Sequence, residues 1–165
     1  MRVGILLPTR EAIMSARFET APMLDLAERA EAAGFDSVWA GDSLIARPRF
    51  EPLTLLAAAA ARTRRVQLGT AVLLAGLRPP LVLAHIASTL DRVAEGRLIL
   101  GVGLGQNSAG AKKEFEAAGA VFARRVGRLR EEIAICRAVW QGEKTSVAGE
   151  FWRLDDVRLL PPTVR

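Results

Sequence analysis

Four apolar runs divide the chain, and the stretches between them have the periodicity of amphipathic helices. The runs are RVGILLP (2–8), DSVWA (36–40), VQLGT (66–70) and RLILGVG (97–103). The same point of each run recurs after 32, 30 and 32 residues, measured at Leu7, Trp39, Gly69 and Gly101. A near-constant spacing with a helix in each gap is typical of repeated βα units. Because the runs are continuously apolar, they favour a parallel sheet that is covered on both faces.

The gaps predict four helices, over about residues 20–33, 52–62, 79–94 and 122–140. Gly34 and Gly96 follow the first and third helices as stop signals, and the Pro79–Pro80 pair suits a first helical turn. The segment 143–162 breaks the rhythm and predicts short strands around an Ala148–Gly149 turn. Four βα units cannot close an eight-stranded barrel. The pattern therefore leaves two alternatives, an open α/β domain or half of something larger.

Composition sets limits on the kind of protein. Half of the 165 residues are apolar and a quarter are charged, as in an ordinary globular domain with a core. Because no apolar run reaches the roughly 18 residues of a membrane span, we expect no membrane segment and a cytoplasmic location. The net charge of +5 is spread out, since residues 1–60 carry six basic and eight acidic side chains. Without interleaved aromatic residues, this charge predicts a solvated surface and no nucleic-acid binding.

The chain has one cysteine and one histidine. A disulfide, a cysteine- or histidine-based metal site and a Ser-His-Asp triad are therefore excluded within one chain. Cys136 is expected to pack in the core, on a helical stripe with Val126, Leu129, Ile133 and Val139. His85 lies inside a helix, so we expect it at a surface or an interface and not among catalytic groups.

The glycines of GVGLGQ (101–106) follow an apolar strand, where bare backbone can approach a phosphate or a flat ring. The match to a dinucleotide-binding fingerprint is poor, because GxGxG is one residue short, lies on the fourth strand and precedes no clear helix. A flexible connection between strand and helix is the alternative.

Two further features have two interpretations each. The strand in LGTAVLL (68–74) continues into its loop without a polar boundary, so it is either core or the apolar wall of a planar ligand. Asp42 follows the second strand, where it could bind a ligand hydroxyl, transfer a proton or cap a loop. The residues alone favour the cap.

In combination and in order, several segments resemble the luciferase-like monooxygenase superfamily. That superfamily includes bacterial luciferase, alkanesulfonate monooxygenase and the oxidoreductases that use the deazaflavin coenzyme F-420. The matching segments are GFDSVWAGDS (34–43), RVQLGTAVL (65–73), LRPP to GVGLG (77–105), EFEAAGAVFARRVGRLREEIAICRAVWQG (114–142) and AGEFWRLDDVRLLPP (148–162). The segments LGTAVLLAGLRPP and GVGLGQN most resemble the sequences of the deazaflavin branch.

The resemblance implies a TIM-type (β/α)8 barrel that holds FMN or coenzyme F-420 at the carboxyl ends of its strands. By position, the family's non-proline cis peptide, whose bulge backs the ring, would be Ala71–Val72. The loop wall would comprise Gly103, Leu104, Gly105 and Gln106. Asp42 and Ser43 would be the catalytic candidates, as polar contacts, with Asp42 near the reactive edge of the ring.

This sequence departs from the family pattern at two positions. Ser43 stands where members with a catalytic base often have histidine. Gln106 stands where the sugar-phosphate dehydrogenases of the group place an acidic proton donor. Both departures favour a monooxygenase, or a reductase that relies on cofactor and backbone.

The family's barrel is about twice as long as this chain. We therefore interpret residues 1–165 as one luciferase-like domain, the N-terminal half of a flavin- or deazaflavin-dependent oxidoreductase, either truncated or split. Such a half should expose the edges of its first and fourth strands. It should pair with a complementary C-terminal half or with a second copy, and act on a small-molecule substrate. The alternative is a non-catalytic half-barrel that acts as an assembly module.

Overall fold

Four parallel strands form one sheet in chain order in the computed structural model, which describes residues 1–164. They are β1 (Gly4–Leu6), β2 (Ser37–Ala40), β3 (Gln67–Leu73) and β4 (Leu98–Val102). All four predicted runs are strands, and β3 extends three residues past the predicted end at residue 70. Because every pairing is parallel, the carboxyl ends of all four strands lie at the same end of the sheet.

Six α-helices accompany the sheet: α1 (Thr9–Met14), α2 (Ala21–Ala32), α3 (Pro52–Arg62), α4 (Pro80–Val93), α5 (Ala109–Ala117) and α6 (Arg125–Val139). The four predicted helices correspond to α2, α3, α4 and α6. The last of these begins at Arg125, because residues 122–124 form a 3-10 turn. The short helices α1 and α5 were not predicted. The expectation that no clear helix follows GVGLGQ is wrong, because the Ser108 side chain caps α5 by accepting the Ala111 N–H.

The core lies between the sheet and the helices, where Leu56, Leu68 and Ala84 are fully buried. Cys136 is 4% exposed, as predicted, and His85 lies on the exposed side of α4. The predicted stripe on α6 is wrong at Val126, which is 44% exposed. The buried residues of α6 are Glu132, Ile135, Cys136 and Val139, and at 3.6 residues per turn Val126 lies about 130° from the middle of that face. A hydrophobic pattern misplaces the buried face, because it assigns a carboxylate such as Glu132 to solvent.

An antiparallel hairpin follows α6, as predicted for residues 143–162. Its strands are β5 (Thr145–Ala148) and β6 (Arg153–Val157). The tip is held on α6, because the Glu131 carboxylate accepts the backbone N–H groups of residues 150, 151 and 152 at 2.8–3.1 Å.

The four-stranded sheet has open edges. Within residues 1–164, β1 pairs only with β2 and β4 pairs only with β3. Leu6 is 52% exposed and Val102 is 36% exposed. No helix in this part of the chain has both the length and the apolar character that crossing a membrane requires.

Candidate functional site

A cleft of about 540 Å³ lies at the carboxyl ends of β2, β3 and β4. Its walls come from the loops that follow these strands and from α5, as expected where parallel strand ends meet. Seven of the eight predicted site residues line it: Asp42, Ser43, Ala71, Val72, Leu104, Gly105 and Gln106. The eighth, Gly103, is not part of the lining and packs against Val72.

A bulge at the end of β3 forms the apolar wall of the cleft. From Thr70 to Leu73, β3 advances three residues while β4 advances two, from Leu100 to Val102. One residue of β3 is therefore extra, which defines a β-bulge. Within the bulge the Ala71–Val72 peptide is cis, at the position that the resemblance predicted. Both side chains are exposed, Val72 to 44%, although they belong to an inner strand of the sheet.

Two glycines of GVGLGQ make room for this bulge. A Cβ atom at Gly101 would lie 2.3 Å from the Thr70 carbonyl oxygen, and one at Gly103 would lie 2.4 Å from Val72 Cγ2. The Thr70 hydroxyl also donates to the Gly101 carbonyl at 2.9 Å. Gly101 and Gly103 thus permit a close approach between the β4 segment and the bulge.

Asp42 connects the end of β2 to the segment after the bulge. Its side chain is 3% exposed, and Oδ2 accepts the Leu74 N–H at 3.0 Å and Arg78 Nη1 at 2.6 Å. Arg78 also donates to Glu51 at 3.0 Å. Burial alone would lower the pKa of Arg78, but the hydrogen bonds and charges of Asp42 and Glu51 outweigh it and raise that pKa. Asp42 therefore faces a permanent cation and binds a loop, the role that the residues alone favoured.

Ser43 is buried, and its hydroxyl is used inside the protein. It donates to Glu114 Oε1 at 2.7 Å and accepts the Arg47 N–H at 2.9 Å. The same Glu114 oxygen accepts the N–H groups of Leu44 at 2.5 Å and Ile45 at 2.9 Å. Glu114 is 1% exposed and comes from α5. One carboxylate thus fixes the loop after β2, which forms a wall of the cleft.

Sequence reasoning missed Glu114, because α5 was not predicted. The only signal was its place at the start of EFEAAG, one of the segments that carry the resemblance.

Two arginines that belong to no motif also line the cleft. Arg47 Nη2 donates to Gln106 Oε1 at 2.6 Å, and Arg49 Nη1 donates to the buried Thr9 hydroxyl at 3.2 Å. Within residues 1–164 neither arginine forms an ion pair, and no three His, Cys, Asp or Glu side chains are grouped as metal ligands would be.

A second cavity, of about 220 Å³, lies between β4 and α6. Its lining is mainly apolar and includes Leu100, Val102 and Ile133, but Glu132 is also part of it. Glu132 is 0% exposed, and neither of its carboxylate oxygens has a hydrogen-bond partner among the described residues. Arg128 Nε lies 3.1 Å from Oε1 but donates to the Gly76 carbonyl. Burial raises the pKa of Glu132 to about 7, against the opposing effect of Arg128.

The comparisons with known proteins agree on one family. The sequence profile of luciferase-like monooxygenases matches residues 1–165. The chain is 35% identical over 153 residues to an F420-dependent glucose-6-phosphate dehydrogenase of Amycolatopsis mediterranei, covering 87% of this chain and 44% of that enzyme. It spans less than half the length of this relative.

Solved structures give the same result. Monooxygenase RslO1 from Streptomyces bottropensis superposes with a TM-score of 0.85 at 30% identity, covering 100% of this chain and 50% of that one. A type II Baeyer-Villiger monooxygenase of Pseudomonas putida, solved with FMN, superposes with a TM-score of 0.81 at 25% identity, covering 98% and 45%. These superpositions confirm the predicted fold, a four-stranded half of a TIM-type (β/α)8 barrel.

Proposed function

The chain belongs to the luciferase-like monooxygenase family, and on that premise we propose that it supplies half of the active site of a flavin- or deazaflavin-dependent oxidoreductase. The observation that carries the proposal is the exposed apolar bulge at Ala71–Val72, on the wall of a 540 Å³ cleft. When bound, FMN or coenzyme F-420 supplies the hydride or oxygen chemistry. The chain's own residues bind the ring, orient it and keep water from one of its faces.

The cleft has the features that a planar ring requires. Val72 and Ala71 offer an apolar surface on one side, and Leu104 and Gly105 line the same cleft from the loop after β4. Burying the exposed part of these side chains under a ring contributes about 25 cal/mol per Å² of apolar surface. Val72 packs closely against Gly103 on the side away from the cleft, which supports the wall from behind.

Asp42 and Ser43 have a positioning role in this proposal. Asp42 holds the Leu74 N–H and so fixes the chain after the bulge, while Ser43 is fixed to Glu114. Asp42 accepts three hydrogen bonds, one from Leu74 and two from Arg78, so one of the roughly four acceptor positions of its carboxylate remains for the polar contact with a ligand that the family resemblance implied. The first role of both residues is therefore to hold the loops that give the cleft its shape.

We also propose that further βα units complete the site, supplied by a longer chain or by a second polypeptide. The coverage of about half of each relative and the open edge of β4 support this. The Thr163 N–H donates to the Trp140 carbonyl at 3.4 Å, and Thr163 lines a small pocket together with Leu98 and Leu100 of β4. Thr163 therefore lies beside the first residues of β4. A strand that enters the second cavity would pair with β4 and bring hydrogen-bond donors to Glu132.

The experiment is a fluorescence and absorbance titration of the chain with FMN, riboflavin and coenzyme F-420, with and without a polypeptide that carries the later strands of a relative. We expect binding that Val72→Asp weakens at least about 10-fold, because the new carboxylate would be buried against the ring. Val82→Asp is the matched control, since Val82 is 53% exposed on α4, outside the cleft.

If Val72→Asp and Val82→Asp weakened ligand binding equally, the assignment of Val72 to the wall of the ligand site would be contradicted. Failure to bind any of these ligands, even with the later strands present, would refute the enzymatic proposal and favour the alternative of an assembly module.

A further inference from the structure

The cationic side chains that line the cleft belong to two arginines, Arg47 and Arg49. We propose that Arg47 and Arg49 form a subsite for an oxyanion, namely a carboxylate, sulfonate or phosphate group of the molecule that binds beside the Ala71–Val72 bulge. The inference rests on the proposed function, because it names the chemistry of a ligand for the same cleft.

The carboxylates of the cleft are hydrogen-bonded to groups other than Arg47 and Arg49. Asp42 is paired with Arg78, and a single oxygen of Glu114 accepts the Ser43 hydroxyl and successive backbone N–H groups of the loop after β2. A carboxylate that accepts several backbone donors has its charge compensated locally. Within residues 1–164 neither carboxylate forms an ion pair with Arg47 or Arg49.

The arginines, in contrast, retain most of their donors. A guanidinium has five N–H groups, and the structure records one contact for each side chain, from Arg47 to Gln106 and from Arg49 to Thr9. Both contacts are with neutral oxygens, which orient the guanidinium without reducing its charge. The remaining N–H groups suit a tetrahedral or planar oxyanion, which arginine recognises with paired hydrogen bonds.

Gln106 is the residue that keeps this subsite cationic. Its amide oxygen lies 2.6 Å from Arg47 Nη2, so a glutamate in its place would form an ion pair with Arg47. The glutamine holds the same guanidinium in place and leaves its full charge for a ligand. Gln106, predicted as part of the cofactor-binding loop wall, thus acquires a specificity role as well.

The subsite lies in the same cleft as the bulge, so its oxyanion belongs either to the substrate or to the phosphate of the cofactor. The two sources give different results with FMN and riboflavin, which differ only by that phosphate. If the group is the cofactor's, FMN binds more tightly than riboflavin, and inorganic phosphate competes with FMN. If it is the substrate's, the two flavins bind equally, and phosphate binds together with them.

The test is an NMR titration of the ¹⁵N-labelled chain with inorganic phosphate, with chloride added to keep the ionic strength constant. We expect saturable shifts confined to the Arg47 and Arg49 side chains and to the loops after β2 and β4. Arg47→Gln, Arg49→Gln and Gln106→Glu should each weaken phosphate binding at least about 5-fold. Arg130→Gln is the control, because Arg130 is an exposed residue of α6, outside the cleft, and should leave the affinity unchanged.

Shifts that do not saturate, or that the Arg130→Gln control reduces as much as Arg49→Gln does, would overturn the subsite. This test can be distinguished from the test of the proposed function. Riboflavin carries no anionic group, so its binding does not depend on the oxyanion subsite. Riboflavin binding without phosphate binding would refute the subsite alone. Phosphate binding without binding of any flavin or of coenzyme F-420 would refute the proposed function and leave an oxyanion site that serves another ligand.

Discussion

Replacing Glu132 by glutamine should change how the stability of the chain depends on pH. Glu132 is fully buried beside the second cavity, and burial raises the pKa of its carboxyl from 4.5 to about 7. A carboxyl whose pKa is raised on folding stabilises the folded state fully below pH 4.5, and this contribution is lost as the pH rises through 7. A shift of this size corresponds to about 3 kcal/mol of unfolding free energy between pH 4.5 and pH 8.

The assay is urea denaturation of both proteins at several pH values from 4.5 to 8, followed by circular dichroism. Because glutamine stays neutral, its advantage over the wild type should grow by up to about 3 kcal/mol across this range. Glu116→Gln, at an exposed position of α5, is the control and should leave the pH curve parallel to the wild type. A constant difference between Glu132→Gln and the wild type would refute the conclusion that Glu132 is ionised at the expense of stability.

Three other substitutions test separate parts of the structure. Gly101→Ala would place a Cβ atom 2.3 Å from the Thr70 carbonyl oxygen, so urea denaturation should show a free energy of unfolding lower by about 1–3 kcal/mol. The control is Gly110→Ala, which makes ordinary contacts in α5 and should leave the stability unchanged or slightly higher. Glu114→Gln removes the charge that fixes the loop after β2, so hydrogen exchange of that loop's amides should become faster while exchange in α4 does not change. For Glu31, burial alone would raise the pKa, but hydrogen bonds from the three backbone N–H groups before β3 outweigh it and lower the pKa. Its stabilisation is therefore present above pH 4.5 and lost below it, and Glu31→Gln should flatten the acid limb of the stability curve, with an unchanged limb counting against this role.

The sheet could be predicted from the sequence because its signal is local. Each strand is a continuous apolar run, and α3 and α4 begin at prolines and have regular apolar faces, so their bounds were found to within two residues. The helix α5 could not be found, since AGAKKEFEA is short, begins with small residues and contains few apolar positions. With α5 missing, Glu114 and its contacts to the loop after β2 could not be predicted.

The bulge has no local signal of its own. Its position at Ala71–Val72 came only from the family resemblance, because the cause is a fit between two strands: Gly101 and Gly103 leave the space that Thr70 and Val72 fill. The arginines of the cleft are a similar case. In the sequence Arg47 and Arg49 are only two of many charged residues. Their guanidinium groups are oriented by Gln106 and Thr9, which are distant in sequence.

The central claim, that a flavin or deazaflavin ring lies against the bulge, is tested most directly by isotope-filtered NOE spectroscopy. The chain would carry labelled methyl groups at Ala71, Val72 and Ile133, and riboflavin and coenzyme F-420 would be added in separate samples in the presence of the later strands of a relative. We expect NOEs from the ring protons to the methyl groups of Ala71 and Val72, and none to Ile133, which lines the second cavity. If both ligands gave NOEs only to Ile133, or to neither site, the central claim would be contradicted.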